Sequence, residues 1–376
     1  MSWSPQQEGA LRAVSDWLGS NPGRGGTPQV FRLFGYAGTG KTTLAREFAA
    51  NLKGNVLFGA FTGKAAHVMG QKGCVGASTI HSMIYRLDDE KNPLAEPRFK
   101  LNRDAPVRDA ALVIIDEVSM VGEELARDLL SFGTPVLVLG DPAQLPPVKD
   151  EGYFTNADPN VMLTEVHRQA EGSAIIRLAT TVRTGGRLEM GEFGDAKVVD
   201  RDAIDGDAVL DADQVIVGRN RTRHQFNGRI RVLRNRSGTP QLGEKLICLR
   251  NDKPKNLLNG SMWEVSGLTK QTGRDRAANV TRLKVVPFDV GARPREVEIK
   301  VRNEFWDGTD GELAWSDRKG TEEFTFGYAI TCHKSQGSQW SNVMVFDEAA
   351  AFRDDAWRWR YTAITRAADK LTVVLP

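Results

Sequence analysis

The eight residues Gly35-Tyr36-Ala37-Gly38-Thr39-Gly40-Lys41-Thr42 decide the fold of the first part of the chain. They follow an apolar run at residues 30–34 and precede a stretch rich in alanine, leucine and glutamate. This order predicts a strand, a glycine-rich loop and a helix, which is the context that a P-loop requires. Backbone N–H groups of such a loop and the N-terminus of its helix surround phosphate groups. The alternative is a glycine-rich turn that arose by chance.

The side chains of the loop add chemistry that the backbone amides lack. Lys41 can reach the β- and γ-phosphates of a bound triphosphate, and the hydroxyl of Thr42 can ligate Mg²⁺. The sequence therefore predicts ATP and Mg²⁺ as the ligands of this loop. The predicted nucleotide contacts here are Gly35, Ala37, Gly38, Thr39, Gly40, Lys41, Thr42 and Thr43.

Two adjacent carboxylates, Asp116 and Glu117, follow the apolar run at residues 112–115. The carboxyl end of a parallel strand is the edge of the sheet where ligands bind. We expect Asp116 to hold Mg²⁺, directly or through water, and Glu117 to orient and deprotonate the water that attacks the γ-phosphate. An Asp-Glu pair that caps a helix is the alternative. Beside a P-loop, the pair favours hydrolysis over phosphoryl transfer.

Gln144 lies in the stretch 140–147, which follows the next apolar run. Its amide would stand at the edge of the sheet beside the phosphates. There it could form hydrogen bonds with the γ-phosphate that hydrolysis then breaks. The alternative is a proline-rich turn that exposes the glutamine to solvent.

Short apolar runs alternate with helical stretches along most of the chain, which is typical of a buried parallel sheet flanked by helices. The first set predicts one α/β lobe and the second set another. Residues 85–106 are polar and rich in proline, which predicts a flexible loop or a small hairpin, and residues 265–325 predict an inserted β domain. The runs of the first set are 30–34, 56–61, 112–115, 136–139 and 161–163, and those of the second are 214–218, 245–249, 342–346 and 371–375.

Composition narrows the classes of protein further. The 376 residues are 40% hydrophobic and 26% charged, as is ordinary for a soluble α/β protein of two or three domains. Three widely spaced cysteines exclude a disulfide framework and a CxxC metal site. No apolar run approaches the ~18 residues of a membrane span and no signal segment opens the chain, so we expect a cytoplasmic protein without a membrane partner.

The formal net charge of +2 conceals an uneven distribution of charge along the chain. Residues 219–302 carry 20 Lys and Arg against 7 Asp and Glu. A stretch of this kind is either a track for a polyanion or a solvated basic face. Charge alone leaves both interpretations open.

In their order, the motifs resemble those of superfamily-1 DNA helicases of the B type, the RecD/Dda-like group. The P-loop resembles motif I, residues 116–120 motif II and residues 140–147 motif III. Other stretches resemble the remaining motifs: Ser4, Gln7 and Ala10 the adenine-reading Q motif, 60–66 motif Ia, 78–81 the next DNA-contact motif, 163–169 motif IV, 331–337 motif V and 361–367 motif VI.

The resemblance implies roles for residues outside the P-loop. Gln7 and Gly337 would contact the nucleotide, and Arg168 and Arg366 would reach the γ-phosphate from the second lobe. Without the motifs, each residue has another interpretation. Each arginine could form a surface salt bridge, Phe61 could be a core residue, and His81 and His333 could cap turns. The implied DNA contacts are Phe61, Thr62, Lys64, Thr79, His81, Thr331, His333, Lys334 and Ser335.

The implied fold consists of two RecA-like parallel-sheet P-loop domains with two insertions. Domain 1A would comprise residues 1–84 and 107–162, and domain 2A residues 163–264 and 327–376. A pin that splits duplex DNA, domain 1B, would occupy residues 85–106, and an inserted Src-homology-3-like (SH3-like) β-barrel, domain 2B, residues 265–326.

The implied function is ATP-driven 5′–3′ translocation on single-stranded DNA with unwinding of forked duplex DNA. The resemblance implies a role in DNA replication, recombination or repair. We expect a monomer that is associated with the nucleoid, with single-strand-binding and replication proteins as candidate partners. A translocase that strips proteins from DNA without unwinding is the alternative. A P-loop kinase for a small molecule is a more distant one, because it leaves the second lobe unexplained.

Overall fold

The computed structural model describes residues 3–23, 27–87, 99–147, 152–165, 172–252, 254–288 and 295–376. Within these ranges the chain forms two parallel sheets, one antiparallel sheet and a short hairpin. No helix in these ranges is both long enough and apolar enough to cross a lipid bilayer.

The first lobe is built on six parallel strands covered by helices on both faces. Leu33 and Phe34 are neighbours in one strand, yet they belong to different hydrophobic clusters, since successive side chains point to opposite faces of a sheet. From one edge the strands are Ser78–Thr79, Val56–Ala60, Leu112–Asp116, Val136–Gly140, Val30–Gly35 and Val161–Leu163. The helices are Pro5–Gly19, Lys41–Asn51, Gly63–Gln71, Ile80–Ile84 and Glu123–Leu130, with 3₁₀ turns at Pro106–Asp109 and Val118–Met120.

The second lobe also has six strands, of which the edge strand Gly191–Glu192 is antiparallel to its neighbour. This result confirms the prediction of two α/β lobes. The strand order is Ala329–Thr331, Gln214–Val217, Trp340–Phe346, Ala367–Leu375, Ala196–Asp200 and Gly191–Glu192. The helices are Ala174–Arg183, Gly206–Asp211, Asn220–Leu233, Cys332–Ser335 and Ala356–Ile364, with 3₁₀ turns at Arg201–Ala203 and Ala349–Asp355.

Between these strands the chain forms a five-stranded antiparallel sheet. Its strand order is Val297–Arg302, Val280–Pro287, Met262–Leu268, Lys245–Cys248 and Phe324–Phe326. Short helices at Gly273–Ala277, Glu304–Asp307 and Trp315–Arg318 and a 3₁₀ turn at Asp310–Glu312 connect them.

The prediction that residues 245–249 belong to the second parallel sheet is wrong. Lys245–Cys248 pairs antiparallel with both Met262–Leu268 and Phe324–Phe326. All four residues of this strand are buried, as they would be in a parallel sheet. An apolar run of this length predicts burial but does not identify the neighbouring strand. The antiparallel sheet therefore begins at Lys245, ahead of the predicted boundary at residue 265.

Residues 85–87 and 99–101 lie outside the first sheet, as the polar stretch predicts. Tyr85–Leu87 pairs antiparallel with Phe99–Leu101, and the backbone N–H of Asn102 donates to the carbonyl of Ile84 at 2.8 Å. The described ends of the excursion therefore form a hairpin rather than a loop. Phe99 is 61% exposed on it, and residues 88–98 lie outside the described ranges.

Candidate nucleotide site and nucleic-acid interface

A cleft of about 960 Å³ lies between the two lobes. The first lobe lines it with the P-loop, Asp116, Glu117 and Gln144, and the second lobe with Gly337 and Arg366. The fold thus brings together most of the residues predicted to bind or hydrolyse ATP, although they come from distant parts of the sequence.

The P-loop turns sharply through Gly38 and Gly40, whose φ angles are 81° and 82°. Glycine adopts this left-handed conformation without a steric cost, which explains both glycines. The Nζ of Lys41 donates to the carbonyls of Gly35 at 2.6 Å and Tyr36 at 3.0 Å. These bonds fold the ammonium group back over the loop, where a phosphate would be cradled.

Thr42 and Asp116 form the pair that fits a magnesium ion. The Thr42 hydroxyl donates to Oδ2 of Asp116 at 3.0 Å, and Oδ1 of Asp116 accepts from the backbone N–H of Glu117 at 2.8 Å. A hydroxyl and a carboxylate are the hard oxygen ligands that Mg²⁺ prefers, alongside water and substrate phosphate. The two side chains therefore have the chemistry and proximity that such a site needs.

Glu117 has a left-handed backbone, with φ 54° and ψ 47°. This conformation costs a non-glycine residue roughly 1–2 kcal/mol, and it turns the chain abruptly away from the strand. Burial raises the pKa of the Glu117 carboxyl group, while the charges of Arg366 and Lys41 oppose that shift. A carboxylate with a raised pKa, set beside the phosphate loop, suits a general base.

Gln144 is only 8% exposed, so it is not the solvent-exposed glutamine of the alternative interpretation. Its Oε1 is buried and accepts no hydrogen bond from any residue in the described part of the chain. A buried polar atom without a partner costs about 1–3 kcal/mol. The side chain lines the cleft, where a ligand could satisfy it.

Gln144→Leu should lower kcat for ATP hydrolysis about 10- to 100-fold, the equivalent of one hydrogen bond to a charged group. Affinity for ADP should stay unchanged, because ADP lacks the γ-phosphate that the amide would contact. Steady-state hydrolysis and ADP titration measure the two effects. Gln71→Leu, at the exposed rim of the same cleft, is the matched control. Equal losses in both variants would argue against a contact with the γ-phosphate.

Arg366 is 4% exposed and is held by three hydrogen bonds within the second lobe. Its guanidinium donates to the carbonyls of Thr362 at 3.0 Å and Ser338 at 3.2 Å, and to Oγ1 of Thr365 at 3.1 Å. It lines the cleft that Lys41 also lines, instead of forming a surface salt bridge. Arg168, the other predicted arginine finger, lies outside the described residues.

Gln7 connects the first helix to the P-loop. Its Oε1 accepts from the backbone N–H of Ser4 at 3.0 Å in a capping box, and its Nε2 donates to the carbonyl of Thr39 at 3.2 Å. Gly337 approaches the first lobe closely, since a Cβ atom there would lie 2.8 Å from Cβ of Ala65. The role of Gln7 in reading adenine stays a prediction.

The contacts between the second lobe and the P-loop include two side chains, Tyr361 and Arg183, that were not predicted to touch it. The hydroxyl of Tyr361 accepts from the backbone N–H of Ala37 at 3.0 Å and donates to Oδ2 of Asp141 at 2.7 Å. The guanidinium carbon of Arg183 lies 3.7 Å from the ring centroid of Tyr36, a cation–π contact. Both contacts join the second lobe to the P-loop. Tyr361 opens motif VI and could have been singled out, whereas Arg183 lies in no recognisable motif.

A second cavity, of about 450 Å³, spans both lobes. Phe61 packs against the core of the first lobe and also lines this cavity, and its contact with DNA stays a prediction. Lys334 and Asn259 both line the cavity, and the Nζ of Lys334 donates to Oδ1 of Asn259 at 3.1 Å. The predicted DNA contacts found here are Phe61, Thr62, Lys64, Thr331, His333 and Lys334.

Three predicted DNA contacts do not line this cavity. Thr79 caps the helix Ile80–Ile84, and the ring of His81 on that helix lies 5.4 Å from the ring of Tyr85. Ser335 is fully buried and donates to the carbonyl of Cys332 at 2.6 Å. Its hydroxyl therefore supports the local helix in this arrangement. Burial lowers the pKa of His333.

Two family models match the chain. Residues 25–201 match an AAA domain, and residues 326–374 match the UvrD-like helicase C-terminal domain.

The ATP-dependent RecD2 DNA helicase of Deinococcus radiodurans is 29% identical over 374 residues, which cover 90% of this chain and 46% of the relative. The uncharacterized protein R530 of Acanthamoeba polyphaga mimivirus is 28% identical over 173 residues, or 38% of this chain and 35% of that protein. The chain thus spans about half the length, or less, of these curated relatives.

Solved structures of Pif1 helicases share the fold. The Bacteroides protein in complex with ADP-AlF3 and single-stranded DNA gives a TM-score of 0.60 at 17% identity, over 99% of this chain and 92% of that one. The Candida albicans protein gives 0.59 at 18% identity, over 100% and 94%. These structures confirm the two-lobe α/β fold. The chain thus carries an AAA domain followed by a UvrD-like helicase C-terminal domain, and along most of its length it is similar in sequence to a RecD2 DNA helicase.

Proposed function

We propose that this protein is an ATP-dependent DNA helicase that moves along single-stranded DNA and unwinds duplex DNA. The observation that carries the proposal is the cleft between the lobes. Lys41, Asp116 and Glu117 line this cleft from the first lobe, and Arg366 lines it from the second. An ATPase whose catalytic groups come from two lobes couples hydrolysis to their relative movement.

Each residue of the cleft has a proposed task in hydrolysis. Lys41 binds the β- and γ-phosphates, and Glu117 orients the attacking water and accepts its proton. Thr42 and Asp116 would hold Mg²⁺, which neutralises charge on the phosphate oxygens when it is bound. Gln144 lines the cleft, where its Nε2 can donate to the γ-phosphate and its Oε1, which has no partner among the described residues, can accept from the attacking water.

The second lobe completes the site from across the cleft. The guanidinium of Arg366 neutralises the charge that develops on the transferred phosphoryl group, and Arg168 is proposed to do the same. Tyr361 and Arg183 contact the P-loop from the second lobe. Movement of the P-loop is therefore coupled to movement of Arg366, which belongs to the same lobe. Closure on ATP and opening after hydrolysis would then shift one lobe against the other.

Single-stranded DNA would cross both lobes through the second cavity. Threonine hydroxyls and lysine ammonium groups there suit phosphates, and Phe61 offers a ring for stacking on a base. Such contacts act on the backbone and on any base, so sequence preference should be weak. The Pif1 structures include one with bound single-stranded DNA and one at forked duplex DNA.

The division into domains is proposed on the same basis. The two parallel sheets correspond to domains 1A and 2A, and the hairpin that begins at Tyr85 to the 1B pin. The antiparallel sheet corresponds to the SH3-like domain 2B, with its start moved to Lys245 by the strand pairing.

Forks with a single-stranded tail of defined polarity test the proposal. We expect ATP hydrolysis stimulated by single-stranded DNA, and strand release from 5′-tailed but not from 3′-tailed substrates. Hydrolysis without release on either substrate would favour a translocase that does not unwind. Phosphorylation of a small molecule in the absence of DNA would contradict the proposal altogether. A Lys41→Ala variant, expected to lose hydrolysis, excludes a contaminating ATPase.

A further inference from the structure

The base of the hairpin is attached to the helix Glu123–Leu130. The hydroxyl of Tyr85, the first residue of the hairpin, donates to Oδ2 of Asp128 on that helix at 2.5 Å. Both side chains are half-buried. A hydrogen bond to a charged acceptor is about twice as strong as one between neutral groups. The bond therefore sets the direction in which this leg of the hairpin leaves the lobe.

The chain after the second leg contacts the end of the same helix. A guanidinium nitrogen of Arg103 donates to the hydroxyl of Ser131 at 3.4 Å, and that hydroxyl donates to the carbonyl of Asp128 at 2.7 Å. Tyr85 pairs with Leu101, and Arg103 follows Leu101 by two residues, so the two contacts attach both legs of the hairpin at its base. Two separate contacts restrain the hairpin against the rotation that a single contact would allow.

This helix is also connected to the nucleotide cleft and to the predicted DNA contacts. It follows Glu117 after one 3₁₀ turn, and its Leu125 and Leu129 pack with Ile80 and Ile84 in one buried cluster. The ring of His81 lies 5.4 Å from that of Tyr85. One packed unit thus contains the proposed catalytic base, a predicted DNA-contact helix and the base of the hairpin.

We propose that Tyr85 and Asp128 are positioning residues for strand separation, which fix the direction in which the base of the hairpin leaves the first lobe. This inference rests on the proposed helicase function. The two residues line neither the nucleotide cleft nor the second cavity, so we expect them to act on unwinding and not on the hydrolysis of ATP.

The test is Tyr85→Phe, which removes one hydroxyl and keeps the ring. Unwinding of a 5′-tailed fork should slow roughly tenfold, the loss expected for one hydrogen bond to a charged group. ATP hydrolysis stimulated by single-stranded DNA should stay within about twofold of wild type. Tyr153→Phe is the matched control, because Tyr153 packs against the same buried cluster. It should change neither rate.

Two further variants separate positioning from general stability. Asp128→Ala should slow unwinding as much as Tyr85→Phe, and the double variant should be no slower than either. Asp128→Asn keeps an oxygen that can accept from Tyr85 but loses the charge, so its unwinding rate should lie between those of wild type and Asp128→Ala. Thermal melting of each variant shows whether the lobe is intact.

The outcomes distinguish this inference from the proposed function. Wild-type hydrolysis without strand release would overturn the unwinding function and this inference with it. Wild-type unwinding that Tyr85→Phe leaves unchanged would overturn the inference alone. Parallel loss of hydrolysis and unwinding in Tyr85→Phe, with a lower melting temperature, would also overturn it, because the bond would then only stabilise the lobe.

Discussion

Replacing Arg366 with alanine should lower kcat for DNA-stimulated ATP hydrolysis about 10³-fold, the lower end of what an arginine finger contributes. The guanidinium lies in the same cleft as Lys41 and Glu117, where it can neutralise charge in the transition state. Affinity for ATP should change only a few-fold, because Lys41 and the P-loop amides still bind the phosphates. Steady-state hydrolysis with saturating single-stranded DNA and titration of a fluorescent ATP analogue measure the two quantities.

Arg366 is buried and makes three hydrogen bonds, so its removal must be distinguished from a folding defect. Arg366→Lys retains a cation but lacks the planar fork of donors, and it should also hydrolyse ATP slowly. Arg358→Ala is the matched control: it lies on the adjacent helix and pairs at the surface with Asp355 at 2.9 Å. Its kcat should equal that of wild type. Hydrolysis by Arg366→Ala within threefold of wild type would refute the finger.

The chemistry of the first lobe could be predicted because each signal is local in sequence. A strand, a glycine-rich loop and a helix succeed one another at the P-loop, and Asp116 and Glu117 stand where a buried strand ends. In a parallel sheet these ends meet at one edge. The proximity of Thr42 to Asp116 therefore follows from the two motifs taken together.

The contacts between the lobes could not be predicted in this way. Tyr361 lies more than three hundred residues from Ala37 along the chain, and only the docking of the lobes brings them together. Arg183 lies on a helix whose sequence resembles that of any amphipathic helix. Its contact with Tyr36 depends on the angle between the lobes. The spacing of apolar residues along the chain carries no information about that angle.

Burial was likewise easier to predict than strand pairing. The apolar run that contains Lys245 predicts a buried strand, which the structure confirms, but it does not identify the sheet to which that strand belongs. The Nζ of Lys245 donates to the carbonyl of Asp213 at 2.5 Å, which joins the antiparallel sheet to the parallel one. A strand at the junction of two sheets satisfies the pattern of either.

Glu117→Gln should bind ATP normally and hydrolyse it about 10²- to 10⁴-fold more slowly, the usual contribution of a general base. The amide keeps the shape and the hydrogen-bonding oxygen of the side chain but cannot accept a proton from water. The variant should therefore remain bound to ATP and stall on single-stranded DNA. Hydrolysis in a single turnover, together with retention of ATP on a filter, measures both effects.

The dependence on pH gives an independent test of the same residue. Burial raises the pKa of Glu117, so this carboxylate becomes protonated, and is lost as a base, as the pH falls through that raised value. In wild type, the plot of kcat against pH should have an acid limb, a decline that begins at a pH above the ordinary range of a glutamate. The plot for Glu117→Gln should lack this acid limb. Glu123→Gln, an exposed residue that pairs with Arg127, should keep both the rate and the limb. Wild-type turnover in Glu117→Gln would mean that another group activates the water.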